Sequence, residues 1–93
     1  MERHLSAYEG DGPYVFVSYS HEDSSAVLPL IQWMQDQGLN VWFDEGIYPG
    51  HNWREEIAQA ILGCSNFLFI ATPNSAKSEH CLKEVNFALD NRS

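Results

Sequence analysis

Residues 78–89 read SEHCLKEVNFAL and carry one carboxylate, Glu84, beside the apolar face of what their spacing predicts to be a helix. Such a group has two uses. It sits in water, as most helix glutamates do, or it is held partly desolvated, where its charge can act on a reacting centre. Other arrangements of reactive side chains are poorer. Ser20, His21 and Asp23 include the residue types of a hydrolytic triad, but neighbours in sequence cannot converge as one, and no G-x-S-x-G elbow occurs. His21, His51, His80 and Cys81 lack ligand spacing of the H-x-x-x-H kind, so the imidazoles read as surface groups and no metal is expected. Neither G-x-x-x-x-G-K-[ST] nor G-x-G-x-x-G is present, which removes both phosphate-binding loops.

The elements that must position Glu84 follow from the hydropathy pattern. Tyr14, Val15, Phe16, Val17, Ser18 and Tyr19 form an almost unbroken β-favouring run, as expected of a strand covered on both faces. Val27, Leu30, Ile31 and Met34 then share one helical face. The helix they predict either starts near Ala26 or kinks at Pro29, and Gly38 stops it. Leu39, Asn40, Val41, Trp42 and Phe43 make a second strand, followed by a turn-rich loop over residues 44–50. Asn52, three residues before Glu55, resembles a capping box. It opens a helix with Trp53, Ile57, Ala60 and Ile61 on one face, ended by Gly63. Residues 67–71 are a third strand, residues 72–75 break it, and a last helix turns Cys81, Leu82, Val85, Ala88 and Leu89 inward. The order β-α-β-α-β-α with short connections predicts a parallel sheet between helix layers, with residues 1–13 as a flexible lead-in and residues 14–93 as one domain.

In open parallel sheets, ligands bind beyond the carboxyl ends of the strands, where the strand order reverses. Three loops meet there, over residues 18–23, 44–52 and 72–78, and Glu84 lies about one and a half turns into the helix that the third loop opens. At about 100° per residue, Val85 centres the inward face, Ala88 lies about 60° away and Glu84 roughly 40° further round. Geometry alone therefore favours a boundary glutamate that leans toward water. Trp42, Phe43, Tyr48 and Trp53 gather around the second loop. The plain reading is core packing for the strand aromatics and an anchor for the helix start in Trp53; an exposed Tyr48-Pro49 tip would instead offer a surface to another protein.

Composition narrows the classes. The chain has 93 residues with 44% hydrophobic and 13% aromatic content, which suits a single small globular domain. Five Lys and Arg against thirteen Asp and Glu give a net charge of -8 with no basic stretch, a surface that repels nucleic-acid phosphates and anionic membranes. No apolar run approaches the roughly 20 residues of a membrane span, so a cytoplasmic location is expected, with Cys64 and Cys81 as reduced thiols.

Three segments together resemble the Toll/interleukin-1 receptor (TIR) domain family in its bacterial form. YVFVSYSHED, residues 14–23, is similar to the family's first box, an apolar strand ending in Ser-Tyr and an acidic turn. VWFDEGIYPGHNW, residues 41–53, resembles the second box and the loop beyond it. SEHCLKEV, residues 78–85, resembles the segment whose glutamate is catalytic in the enzymatic members. The three occur in family order over about residues 14–90, with His80 where the family often has Trp. The family's last strands and helices have no counterpart, so a C-terminally truncated domain is expected.

The resemblance implies a flavodoxin-like α/β three-layer sandwich with a parallel sheet, of which strands 1 to 3 are present. It implies Glu84 as the catalytic residue of an NAD-cleaving enzyme that releases nicotinamide and ADP-ribose or a cyclic isomer, in signalling or cell defence. NAD would be the substrate and no further cofactor is called for. Phe16, Ser18, Tyr19 and Ser20 would line the ribose and nicotinamide side of the pocket, with Trp42 and Asp44 on the opposite wall. The alternative is a non-catalytic module that binds other TIR domains through Gly46, Ile47, Tyr48, Pro49, Gly50 and Trp53. A phosphate-accepting receiver domain of similar topology fits less well, because the first strand ends in Ser18-Tyr19 rather than in a carboxylate.

Overall fold

The computed structural model describes residues 10, 12–43 and 53–91. The expected lead-in therefore lies mostly outside the described residues. The same holds for Asp44, Gly46, Ile47, Tyr48, Pro49 and Gly50, and for Asn52 at the expected helix cap.

Strand β1 (Val15–Ser18) lies at the centre of a three-stranded parallel sheet, between β2 (Val41–Phe43) and β3 (Asn66–Phe69). The registers are Val15 with Val41 on one side and Val15 with Asn66 on the other. Alternation along β1 divides its side chains between two helix layers, as the two-residue period of a strand requires. Val15, Val17 and Tyr19 meet helix α1 (Ser24–Asp36), with Val27, Ile31, Met34, Val41 and Phe43 buried around them. Phe16 points the other way, into a cluster with Ile57, Ala60 and Ile61 of helix α2 (Trp53–Gly63) and with Phe87 and Ala88 of a later helix. Each fully buried large side chain of this kind contributes about 1.5–3 kcal/mol. The result is a flavodoxin-like three-layer α/β sandwich, with the parallel sheet between helix layers that the element order predicts.

The chain enters α1 through a short 3-10 turn, His21–Asp23, whose first N–H groups are capped by Ser20: its Oγ accepts from the Glu22 N–H at 3.3 Å. The helix starts at Ser24, ahead of the expected Ala26, and continues through Pro29. Pro29 and Ser25, the residue whose carbonyl loses its N–H partner, both belong to the exposed side, where water replaces the missing bond. The exit is a Schellman turn. Leu39 N–H bonds to Met34 O at 3.1 Å and Gly38 N–H to Gln35 O at 3.0 Å, with Gly38 at φ 92°, a conformation that glycine adopts without strain.

Position 63, the last of α2, has no room for a side chain because Tyr14 occupies the space beside it. The Tyr14 hydroxyl donates to Ala60 O at 2.7 Å and would stand 2.7 Å from any Cβ at position 63. After β3, a single helical turn α3 (Pro73–Ala76) precedes the last helix, α4 (Glu79–Asn91).

The rotation of α4 differs from the expected one. Its buried residues are Cys81 and Glu84, while Leu82 and Leu89, expected inside, are 44% and 53% exposed and Val85 is half-buried. Two stripes of i, i+3 or i+4 spacing run along this helix, Cys81-Glu84-Ala88 and Leu82-Val85-Leu89. The expected inward set draws on both stripes, and the fold buries Cys81 and Glu84 of the first.

Candidate active site at the carboxyl ends of the strands

The sheet order β2-β1-β3 places the reversal of strand order at the carboxyl ends of β1 and β3. Ile70 N–H bonds to Ser18 O at 2.9 Å and holds the two exits side by side. Asp23 clamps them from above. Its Oδ2 accepts from the Thr72 hydroxyl at 2.5 Å and its Oδ1 from the Asn74 amide at 2.9 Å. These two bonds, the Thr72 bond foremost, hold the Asp23 carboxyl below the usual carboxylate range.

The turn α3 that supplies Thr72 and Asn74 is itself fixed by a reciprocal capping box. Thr72 Oγ1 accepts from Ser75 N–H at 3.0 Å, and Ser75 Oγ accepts from Thr72 N–H at 2.8 Å. Ser75 is fully buried and also donates to Ile70 O at 2.8 Å. Ser78 then caps α4, its Oγ accepting from Cys81 N–H at 3.2 Å. These local bonds aim the first turns of α4 across the end of β1.

There Glu84 is brought inside. Its side chain is only 2% exposed, and Ser18 Oγ donates to Oε1 at 2.6 Å. The other oxygen, Oε2, lies 2.9 Å from His80 Nε2 but has no aligned hydrogen-bond donor, so the contact with His80 is one of charge and proximity. Cys81, beside it, is sealed from solvent, and burial pushes its thiol up, which leaves it neutral and unreactive.

A cavity of about 300 Å³ opens over this site, lined by Tyr19, Ser20, His21, Asn74, Lys77 and His80 among others. Glu84 is not part of the lining; the half-buried imidazole of His80 stands in front of it. The His80 ring is 5.9 Å from the His21 ring, which lies edge-on to Tyr19 at 5.2 Å. An arrangement with a buried, partly unsatisfied carboxylate behind a polar cavity can accept a hydroxyl group and can stabilise positive charge that develops nearby.

Of the residues expected at the site, the fold gathers Ser18, Tyr19, Ser20 and Glu84. Phe16 shares the Ser18 side of β1 but is fully buried one pleat earlier, stacked between Trp42 at 5.0 Å and Phe67 at 5.2 Å, with no exposed surface. Trp42 belongs to the same cluster as Phe16. Asp44 lies outside the described residues, and Trp53 is the first residue of α2. Helical geometry alone leans Glu84 toward water, and the rotation of α4 buries it instead. His80, His21, Asn74 and Lys77 join the cavity without having been named as site residues, although His21, Asn74 and Lys77 belong to the loops expected to meet there. His80 carried a usable signal, since a residue four positions before Glu84 shares its helix face.

Comparison with known proteins agrees with this architecture. The TIR domain family model matches residues 15–93. A curated protein of Methanobrevibacter olleyae named "Probable 2' cyclic ADP-D-ribose synthase TcpO" is 33% identical over 79 residues, covering 83% of this chain and 22% of its own length. Among solved structures, the TIR domain of the Toll-related receptor TRR-2 from Hydra magnipapillata superposes with a TM-score of 0.74 at 22% identity, covering 84% of this chain and 64% of that one. The TIR domains of the activated Roq1 resistosome, which recognises the pathogen effector XopQ, superpose with a TM-score of 0.73 at 24% identity, covering 85% and 49%. The chain thus spans less than two thirds of each of these relatives, and its β1, its switch-point cavity and its α4 all fall within the matched segment. It belongs to the TIR domain family.

Proposed function

We propose that this chain carries the glutamate of an NAD-cleaving TIR domain, releasing nicotinamide and leaving ADP-ribose or a cyclic isomer of it. The observation that carries the reading is the burial of Glu84, 2% exposed, with one oxygen held by Ser18 and the other without an aligned donor. A carboxylate in such surroundings is ordinarily destabilising, and one retained at a switch-point cavity suits chemistry better than packing. The name of the curated relative, a cyclic ADP-ribose synthase, supports the same substrate.

The bond to be broken joins ribose C1′ to the pyridinium nitrogen. Its electron pair leaves with nicotinamide, which departs neutral and needs no general acid, unlike the leaving alcohol of an ordinary glycoside. Positive charge then grows on the ribose ring, and the Glu84 carboxylate stabilises it through a short, low-dielectric path. Oε2 accepts a ribose hydroxyl once the His80 ring swings aside, while Ser18 holds Oε1 and so fixes the carboxylate plane. Water, or a hydroxyl of the same molecule, adds to C1′ and loses its proton, giving the open or the cyclic product. Tyr19 and Ser20 line the cavity mouth beside the reacting ribose.

A second reading is favoured by the resistosome relative: a TIR domain that associates with other TIR domains. Self-association through residues 44–53 is compatible with turnover, and both belong to a cytoplasmic signalling or defence role. Incubation with NAD and chromatographic separation of nicotinamide distinguishes an enzyme from an interaction module. Turnover supports the enzyme, whereas self-association with no nicotinamide release, at any protein concentration, leaves only the module.

A further inference from the structure

We propose that His80 is a pH-sensitive cap on Glu84, closed over the carboxylate when the imidazole is protonated and released when it is neutral. The inference rests on the NAD-cleaving reading of the same site and adds a positioning residue to it. Three observations carry it. His80 Nε2 is 2.9 Å from Glu84 Oε2, a distance at which an imidazolium and a carboxylate pair strongly once water is excluded. Oε2 has no aligned hydrogen-bond donor, so nothing else among the described residues holds that oxygen. His80 lines the cavity and Glu84 does not, so the ring is what a substrate meets first.

The other charged and titratable groups near the pair come from several elements. The 3-10 turn contributes His21, at 5.9 Å between ring centres, Glu22 at the cavity wall, and Asp23, whose carboxylate is engaged by Thr72 and Asn74. Lys77, from the segment before α4, lines the cavity with a charge opposite to that of Glu22. On α4 itself Cys81 is neutral, and Glu79 and Lys83 are exposed. Neither β1 nor α3 has a titratable side chain, and the described acids of α2, Glu55 and Glu56, are exposed.

Protonation acts twice in the same direction. A proton on His80 neutralises the charge that Glu84 would present to the developing cation, and it places a second positive charge beside the pyridinium of the substrate. Turnover therefore falls as pH drops and the imidazole takes up its proton. His80→Gln keeps a polar side chain of similar reach but cannot take up the proton, so it removes the pH dependence rather than the fold.

The test measures kcat and KM for NAD between about pH 5.5 and about pH 8.5 in the 93-residue chain and in His80→Gln. The expected result is a roughly tenfold fall in kcat/KM at the acidic end for the unmodified chain, against less than about twofold for the variant. Parallel falls in both proteins would overturn the proposal. A second readout needs no turnover: the ring resonances of His80 followed by NMR against pH, with and without Glu84→Gln. Pairing predicts that the variant titrates at lower pH, and superimposable curves contradict it. Absence of turnover at every pH would refute the NAD reading, and the NMR comparison would still decide the pairing.

Discussion

The Ser18 hydroxyl donates to Glu84 Oε1 at 2.6 Å across 66 residues of sequence, joining the last residue of the central strand to the middle of the last helix. Both side chains are almost fully buried. Ser18→Ala removes the donor and leaves Oε1 a buried charge without a partner. A stability loss of about 1–3 kcal/mol is expected from urea denaturation. Nicotinamide release should fall roughly tenfold, because the carboxylate loses its fixed plane. A variant that keeps both full stability and full turnover would show that this bond does nothing at the site.

Glu84→Gln should separate stability from activity. The amide keeps the size of the side chain and can still accept from Ser18, but it removes a charge that has little water around it. Replacing a buried ion by a neutral isostere is often neutral or stabilising, here by up to about 2 kcal/mol, and gains of this kind typically accompany lost function. A shift of the denaturation midpoint to lower urea would mark Glu84 as a structural residue instead.

Asp23 gives stability a dependence on acid. Its bonds from Thr72 and Asn74 lower its pKa, so the folded state prefers the ionised form. The stabilisation is complete above the ordinary carboxylate pKa of about 4 and is lost as pH falls through the lowered folded value. Asp23→Ala should therefore be less stable than the unmodified chain at about pH 7, with a gap that narrows toward about pH 3. Denaturation curves at the two pH values check the sign. A gap that widens in acid would contradict the clamp between the β1 and β3 exits.

Much of the architecture was legible in the sequence. The strand around Phe16 and Val17 is apolar on both faces because helices cover both, and Gly38 marks the left-handed end of α1. Helix α4 was misjudged for a physical reason. Leu82, Val85 and Leu89 make the more hydrophobic stripe, and periodicity assigns such a stripe to the core. The fold buries Cys81 and Glu84 and leaves Leu82 and Leu89 exposed, because Ser78 and the Thr72–Ser75 capping box set the angle at which α4 crosses β1. A charged residue at the centre of a buried face is where hydropathy misleads and where function is most often found. The burial of Phe16 follows from its place in β1. Alternation along β1 sends it and Ser18 to the same side of the sheet, but only Ser18 is far enough along the strand to reach the cavity end, and Phe16 is left deep in the stack with Trp42 and Phe67.

The central claim is that Glu84 cleaves NAD. The most direct measurement is nicotinamide release from NAD by the unmodified chain and by Glu84→Gln, at equal concentrations of protein shown by circular dichroism to be equally folded. The account predicts steady release by the first and a loss of at least about a hundredfold in the second, the usual scale for removing a charge that stabilises the transition state. Equal release by the two proteins would contradict it.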